Sequence, residues 1–225
     1  MKGRTLERRN DTRLSVAATV LAFGAVWGIA ESSLGYLLHL ASRLTPGLGL
    51  AGFVMYPIAF ALMFAAYRAT GVAIAPIAMS IVAAAIKISS AALPAVPFLF
   101  VTNPALAILA EGVVTAGVIA FGSTLRRRIV LASAAAVAWR LLFLFSVMVL
   151  PVQKGILMKG TSALLSFVLI EAAVNTVFVA LYLIAIDRRH EHTAGTRLVN
   201  ALSQPAVSGA VLILAVGVEA AFSSL

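Results

Sequence analysis

Five ionisable side chains stand inside long apolar stretches of this sequence: Glu31, Lys87, Glu111, Arg140 and Glu171. At the centre of a membrane-spanning helix each charge costs about 2.5 to 3.5 kcal/mol, so five unpaired charges would cost roughly 15 kcal/mol. Carboxylates and cations can instead neutralise one another, or together hold a solute through charge-assisted hydrogen bonds. We therefore expect all five to face the protein interior rather than lipid.

The composition sets the environment in which these charges act. The chain has 225 residues, of which 62% are hydrophobic and 11% charged, and its mean hydropathy is +1.05. Soluble domains carry roughly 25% charged residues, so this is predicted to be an integral membrane protein. The net charge of +9 is better explained by basic loops at a membrane than by nucleic acid. The sequence has no cysteine, which excludes disulfides and thiolate metal sites.

Seven stretches are long enough to cross a bilayer, which takes about 20 apolar residues. The predicted fold is an all-α polytopic bundle of six core helices with a seventh at the C-terminus. The predicted organisation is a basic tail (1–14), a six-helix core (15–186), a polar linker (187–204) that makes the last helix an appendage, and the C-terminal helix (205–225). Asn103 is a candidate N-cap for the fourth helix, with Pro104 at its first position. The stretches are Ser15–Leu40, Leu48–Tyr67, Val72–Leu93, Phe98–Ser123, Ile129–Leu150, Ser162–Ile186 and Pro205–Phe222.

The loop charges predict the orientation. The first apolar run is too long for a signal peptide, so we interpret it as a retained helix. With the N-terminus in the cytoplasm, twelve cations lie on the cytoplasmic side and three on the other, as the positive-inside rule requires. The expected location is the cell membrane.

Helical spacing places the charges on faces of small residues. Gly24, Gly28 and Gly35 share the face of Glu31, which favours close packing or a cavity wall. Asn175 stands four residues after Glu171, on the same face. The estimated depth of the five charges predicts one cluster between the middle and the outer face of the membrane, in which Lys87 or Arg140 pairs with Glu31. If this cluster is a solute pocket, its residues are Glu31, Lys87, Glu111, Arg140, Glu171 and Asn175. The alternatives are an ion-pair network that only fixes helix register, and a site that couples protons or ions.

Weaker features point to partners rather than chemistry. Ala18 and Ala22 form a small-residue pair on the first helix, which favours either a contact with another membrane subunit or ordinary packing within the chain. His190 and His192 flank Glu191, a pattern more typical of a solvated loop than of a metal site, and no cofactor is predicted. Motifs for phosphate loops, zinc proteases and serine hydrolases are absent, so the chain is not expected to be an enzyme.

The chain resembles the substrate-binding S-components of energy-coupling factor transporters, which take up vitamins or metals in prokaryotes. The resemblance covers about Ser15 to Ile186. It rests on size, a basic N-terminus, six short-looped helices, Ala18 and Ala22, and the stretch "TNPALAILAEG". It implies a solute site toward the outer face, a contact of Ala18 and Ala22 with a transmembrane coupling subunit, and ATP hydrolysis by separate subunits.

The leading hypothesis is therefore a solute-binding membrane subunit of an ATP-driven micronutrient uptake system, with the six pocket residues holding a small polar or zwitterionic solute. One alternative is a stand-alone proton-coupled transporter, which would take up solute unaided. Another is a non-transporting assembly subunit whose charges are purely structural.

Overall fold

The computed structural model describes residues 2–44, 50–93, 96, 98–188 and 200–224, with the backbone alone described for residues 2–13, 43, 99 and 100. The described chain folds into an all-α bundle in which seven helices are long and apolar enough to cross a membrane, as predicted. We number them α1 (Lys2–Ala30, a π-helical turn Glu31–Gly35, and Tyr36–Leu44), α2 (Leu50–Thr70), α3 (Ala75–Ser89), α4 (Phe98–Phe121), α5 (Leu125–Val149), α6 (Thr161–Leu165, a π-helical turn Ser166–Ile170, and Glu171–Arg188) and α7 (Pro205–Ser223).

The start of α4 corrects one prediction. The helix begins at Phe98, so Pro104 lies inside it and Asn103 is not its N-cap. The residues before Asn103 are mostly apolar, and Val101 is buried in the bundle. Burial of an apolar side chain in this extra turn favours the start of the helix at Phe98. The Asn103 side chain instead donates a hydrogen bond to the carbonyl of Gln153, 2.9 Å away, and so ties the loop after α5 to α4.

Helix α2 is central, since it contacts α1, α3, α4 and α6. Three of its aromatic side chains, Tyr56, Phe60 and Phe64, are therefore buried. The Tyr56 ring stacks on Trp139 of α5 at a centroid distance of 5.8 Å, and Phe60 stacks on Phe64. The periphery of the bundle is apolar as well, with exposed side chains such as Phe178 and Ile213. Such an apolar exterior fits contact with lipid rather than with water.

Glycines bring α3 close to both of its main neighbours. A Cβ added at Gly28 of α1 would lie 2.7 Å from the Ile86 side chain, and one at Gly24 would lie 2.8 Å from Val82. On the other side, a Cβ at Gly112 of α4 would collide with the Ser80 side chain and lie 3.0 Å from the carbonyl oxygen of Pro76. Small residues at these contacts let the backbones approach, which is how helices gain packing energy in lipid.

Gly112→Ala is expected to lower the free energy of unfolding by about 1 to 3 kcal/mol, because the added methyl overpacks the contact with Ser80. Gly117→Ala is the matched control on the same helix, since a Cβ there meets nothing within 4 Å. Unfolding of both variants in detergent micelles, followed by circular dichroism, measures the difference. Equal stabilities for the two variants would contradict this close approach.

Helix α7 is not an appendage, which corrects that expectation. It packs parallel to α1 along its length, with Thr19 bonded to Ser203 at 2.7 Å, Ser32 to Glu219, and the rings of Tyr36 and Phe222 in edge contact. Ala215 is fully buried between α1 and α3. Parallel packing follows from the odd number of spans, because the first and seventh helices start on the same side.

Candidate functional site

The buried charges do not form the single cluster that the sequence predicts. Among the residues that the structure describes, two ion pairs form, Lys87 with Glu219 and Arg140 with Glu171. They belong to different helix groups, the first joining α3 to α7 and the second joining α5 to α6. We call Lys87, Glu219 and the serines bonded to Glu219 (Ser32 and Ser223) the Lys87 cluster. We call Arg140, Glu171 and Asn175 the Arg140 cluster.

The Lys87 cluster locks α7 onto α1 and α3. The Nζ atom of Lys87 lies 3.0 Å from Oε1 of Glu219, whose side chain is fully buried. Ser32 donates a hydrogen bond to Oε2 of Glu219, and Ser223 donates one to Oε1 at 3.0 Å. Both oxygens of this carboxylate are therefore satisfied, as a buried charge requires.

Glu219 is missing from the five charges of the sequence analysis. It lies inside the apolar stretch Pro205–Phe222 as plainly as the others lie in theirs, so the same search for charges in apolar segments identifies it. With it, four carboxylates face two cations in the spans.

The predicted pairing of Glu31 is wrong. Neither Lys87 nor Arg140 forms an ion pair with it, because Lys87 is engaged by Glu219 and Arg140 by Glu171. Glu31 is half-buried and accepts a hydrogen bond from Nε1 of Trp27, one turn earlier, at 3.3 Å. It lies within electrostatic range of the Lys87 cluster without contacting it.

The Arg140 cluster connects three helices through one fully buried guanidinium group. Arg140 donates to the carbonyl of Ala136 at 2.6 Å, to that of Gly52 at 3.1 Å and to Oδ1 of Asn175 at 2.7 Å. It also lies over the Trp139 ring, 4.4 Å from its centroid. The predicted inward direction of Arg140 and Asn175 is confirmed by these bonds.

Glu171 stands where this cluster meets a cavity. Oε2 of Glu171 lies 3.6 Å from Nη2 of Arg140, too far for a hydrogen bond, and this buried oxygen has no hydrogen-bond partner in the described part of the chain. Gly52 makes room for it, since a Cβ at that position would collide with the carboxylate. The pair is thus an electrostatic contact that leaves hydrogen-bonding capacity on Glu171 unused.

The cavity has a volume of about 470 Å³ and lies at the end of the bundle that the loop charges predict to be outside. It is large enough for a vitamin-sized molecule. Its lining mixes charged, polar and apolar side chains, and we call it the Glu171 cavity: His39, Ser42, Ala51, Gly52, Ile156, Lys159, Ala163, Ser166, Phe167 and Glu171. Of the six predicted pocket residues, Glu171 alone lines it, with Arg140 and Asn175 behind the wall. Lys159 and His39 were not predicted, because nothing in a loop or helix end distinguishes them before the chain folds.

Each of the two π-helical turns lies beside an acid. In α1 the turn begins at Glu31, and in α6 it ends immediately before Glu171. Such turns are rare, and they are frequent at functional sites. In α6 the turn carries Ser166 and Phe167 into the cavity wall.

Glu111 occupies neither ion pair. Its side chain is buried on α4, and its Oε2 has no hydrogen-bond partner among the described residues. Thr115, one turn further along α4, is also buried. Glu111 is therefore a buried acid outside both ion pairs.

The remaining predicted residues have simpler outcomes. Ala18 and Ala22 are 3% and 0% exposed, which favours packing within the chain over a partner contact in this conformation. His190, Glu191 and His192 lie outside the described residues. In the described ranges, no group of three or more metal-ligating side chains forms.

These features define the protein as a multi-pass α-helical membrane protein with buried charged groups in a largely apolar core and a cavity at one end of the bundle. No family model, curated protein or solved structure matched the chain.

Proposed function

We propose that this chain is the solute-binding membrane subunit of a prokaryotic ATP-driven micronutrient uptake system, and that its solute binds in the Glu171 cavity. The observation that carries the proposal is the largely buried carboxylate of Glu171 in the lining of a cavity of about 470 Å³. Arg140 offsets its charge from behind the wall at 3.6 Å, and a donor group on a solute would add a charge-assisted hydrogen bond from the cavity side.

The charges of the lining favour a solute that carries both signs. Glu171 would accept hydrogen bonds from a cationic or amide group. Lys159, also in the lining, would attract a carboxylate or phosphate. Phe167 and Ile156 supply apolar contacts between them. A mixed site of this kind holds a small zwitterionic or polar molecule in a defined orientation.

The uptake step would need partner subunits. The chain contains no phosphate-loop motif, so ATP hydrolysis would come from separate ATPase subunits through a transmembrane coupling subunit, as the resemblance to S-components implies. The site itself requires neither, and solute binding is therefore testable on the purified chain.

Glu171→Gln is expected to weaken solute binding at least tenfold, since it removes the charge that faces the cavity and weakens a charge-assisted hydrogen bond. The solute is first identified by mass spectrometry of small molecules that copurify with the protein. Binding to each variant is then measured by isothermal titration calorimetry in detergent.

Glu31→Gln is the matched control, because it makes the same chemical change in a span but outside the cavity, and it should bind as the parent does. Equal binding by Glu171→Gln and the parent would overturn the site. Solute uptake by the chain alone in proteoliposomes, lost when the proton gradient is dissipated, would instead favour the stand-alone transporter.

A further inference from the structure

A second concave site lies at the opposite end of the bundle, where α2 and α6 end and α5 begins. It is a groove of about 140 Å³, which we call the Arg68 groove. Phe64, Leu183 and Ile186 form an apolar part of its lining, and Arg68, Arg128 and Asp187 are its charged groups. This is the end of the bundle that the loop charges predict to be cytoplasmic.

The two arginines of the groove lack a carboxylate partner among the residues that the structure describes. Neither forms an ion pair within the described part of the chain, although Asp187 also lines the groove. Arg128 donates through Nε to the carbonyl of Gly122 at 2.8 Å, and its guanidinium lies over the Phe64 ring at 5.4 Å. These contacts fix its orientation, and its terminal nitrogens have no acceptor in the described ranges.

Other cations near the groove add to its positive potential. The groove lining carries a net +1 from two arginines and one aspartate, and the exposed Arg126, Arg127 and Arg188 bring this end of three helices to +4. Basic pockets between helix ends bind anionic lipid head groups, whereas zwitterionic lipids gain little there. An apolar lining beside the arginines suits the first part of an acyl chain.

We infer that the Arg68 groove binds the phosphate of an anionic membrane phospholipid. Arg68 and Arg128 hold the phosphate oxygens, and the half-buried Leu125 and Ile186 contact the glycerol and upper acyl chain. The site is separate from the Glu171 cavity and does not depend on what that cavity binds.

The test compares two double variants with the same change in net charge. Arg68→Gln with Arg128→Gln removes the groove cations, and Arg126→Gln with Arg127→Gln removes two exposed neighbours outside the lining. Each purified, delipidated protein is titrated with phosphatidylglycerol or cardiolipin in detergent, and bound lipid is counted by native mass spectrometry. Each arginine near a charged lipid should strengthen lipid binding roughly fivefold. The groove variant should therefore bind the lipid at least tenfold more weakly than the parent.

The control variant should bind within about threefold of the parent, because its arginines act only at a distance. If the loss of Arg128 unfolds the protein, Arg68→Gln alone replaces the double variant, since Arg68 is exposed. This single variant should show part of the loss in lipid binding. Equal losses in both double variants, or equal binding of phosphatidylcholine, would overturn the inference. Displacement of the lipid by millimolar inorganic phosphate with no preference for the lipid would assign the groove to a soluble anion instead.

Discussion

Glu219→Gln is expected to lower the free energy of unfolding by about 3 kcal/mol, because it leaves the ammonium group of Lys87 without its carboxylate inside the bundle. The amide oxygen can still accept from one of the two serines, Ser32 or Ser223, and its NH2 group can donate to the hydroxyl oxygen of the other, so most of the loss reflects the charge of the pair. Reversible unfolding in mixed detergent micelles, followed by tryptophan fluorescence, measures the change.

Two companion variants make the result specific. Glu31→Gln is the same substitution at a span residue without an ion pair, and its effect should stay below about 1 kcal/mol, since the amide still accepts from Trp27. Adding Lys87→Met to Glu219→Gln should restore much of the loss, because the uncompensated charge is then gone. If Glu219→Gln is as stable as Glu31→Gln, the ion pair does not hold α7 in the bundle.

Arg140→Met is expected to have the largest effect of any single change described here, lowering the free energy of unfolding by about 4 kcal/mol. The substitution removes three hydrogen bonds and leaves Glu171 and Oδ1 of Asn175 buried without their partner. Solute binding should be lost as well, because Arg140 holds the carboxylate that faces the cavity.

Arg140→Lys separates charge from geometry. Lysine keeps the positive charge but lacks the planar fork that serves Ala136, Gly52 and Asn175 together, so about 2 kcal/mol of the loss should remain. Arg127→Met is the control, since that arginine is exposed and its loss should change stability by less than about 0.5 kcal/mol. Thermal unfolding and solute binding are measured side by side for Arg127→Met, Arg140→Lys and Arg140→Met, which should be progressively less stable in that order. An Arg140→Met protein with parental stability would show that the cluster does not connect α2, α5 and α6.

The fold was largely predictable because hydropathy acts along the chain. A run of about 20 apolar residues has to satisfy its backbone within a helix if it enters lipid, and all seven predicted spans are present. The start of α4 was predicted less well. The Asn103–Pro104 signal is local, whereas the burial of Val101 depends on neighbouring helices.

The candidate site was predictable in its residue types and only partly in its arrangement. That Arg140, Glu171 and Asn175 meet follows from the need to satisfy buried polar groups, and helical spacing already placed the last two on one face. Glu219 is identifiable from its apolar stretch, but its pairing with Lys87, 132 residues earlier, depends on which helices pack together. The lining of the Glu171 cavity by Lys159 and His39 depends on how the ends of α1 and α6 meet, and no periodicity in the sequence encodes that meeting.

The sequence by itself determined that this is a membrane-spanning helical bundle and that its buried charges must be paired or hydrogen-bonded inside it. Both conclusions follow from the free energy of transferring each residue into lipid. Only the tertiary structure decided which cation pairs with which carboxylate. It paired Lys87 with Glu219 and Arg140 with Glu171, left Glu31 with Trp27, and placed Glu171 alone of the predicted residues at a cavity. Pairing depends on which helix faces pack together, and close approaches at Gly28, Gly52 and Gly112 select those faces.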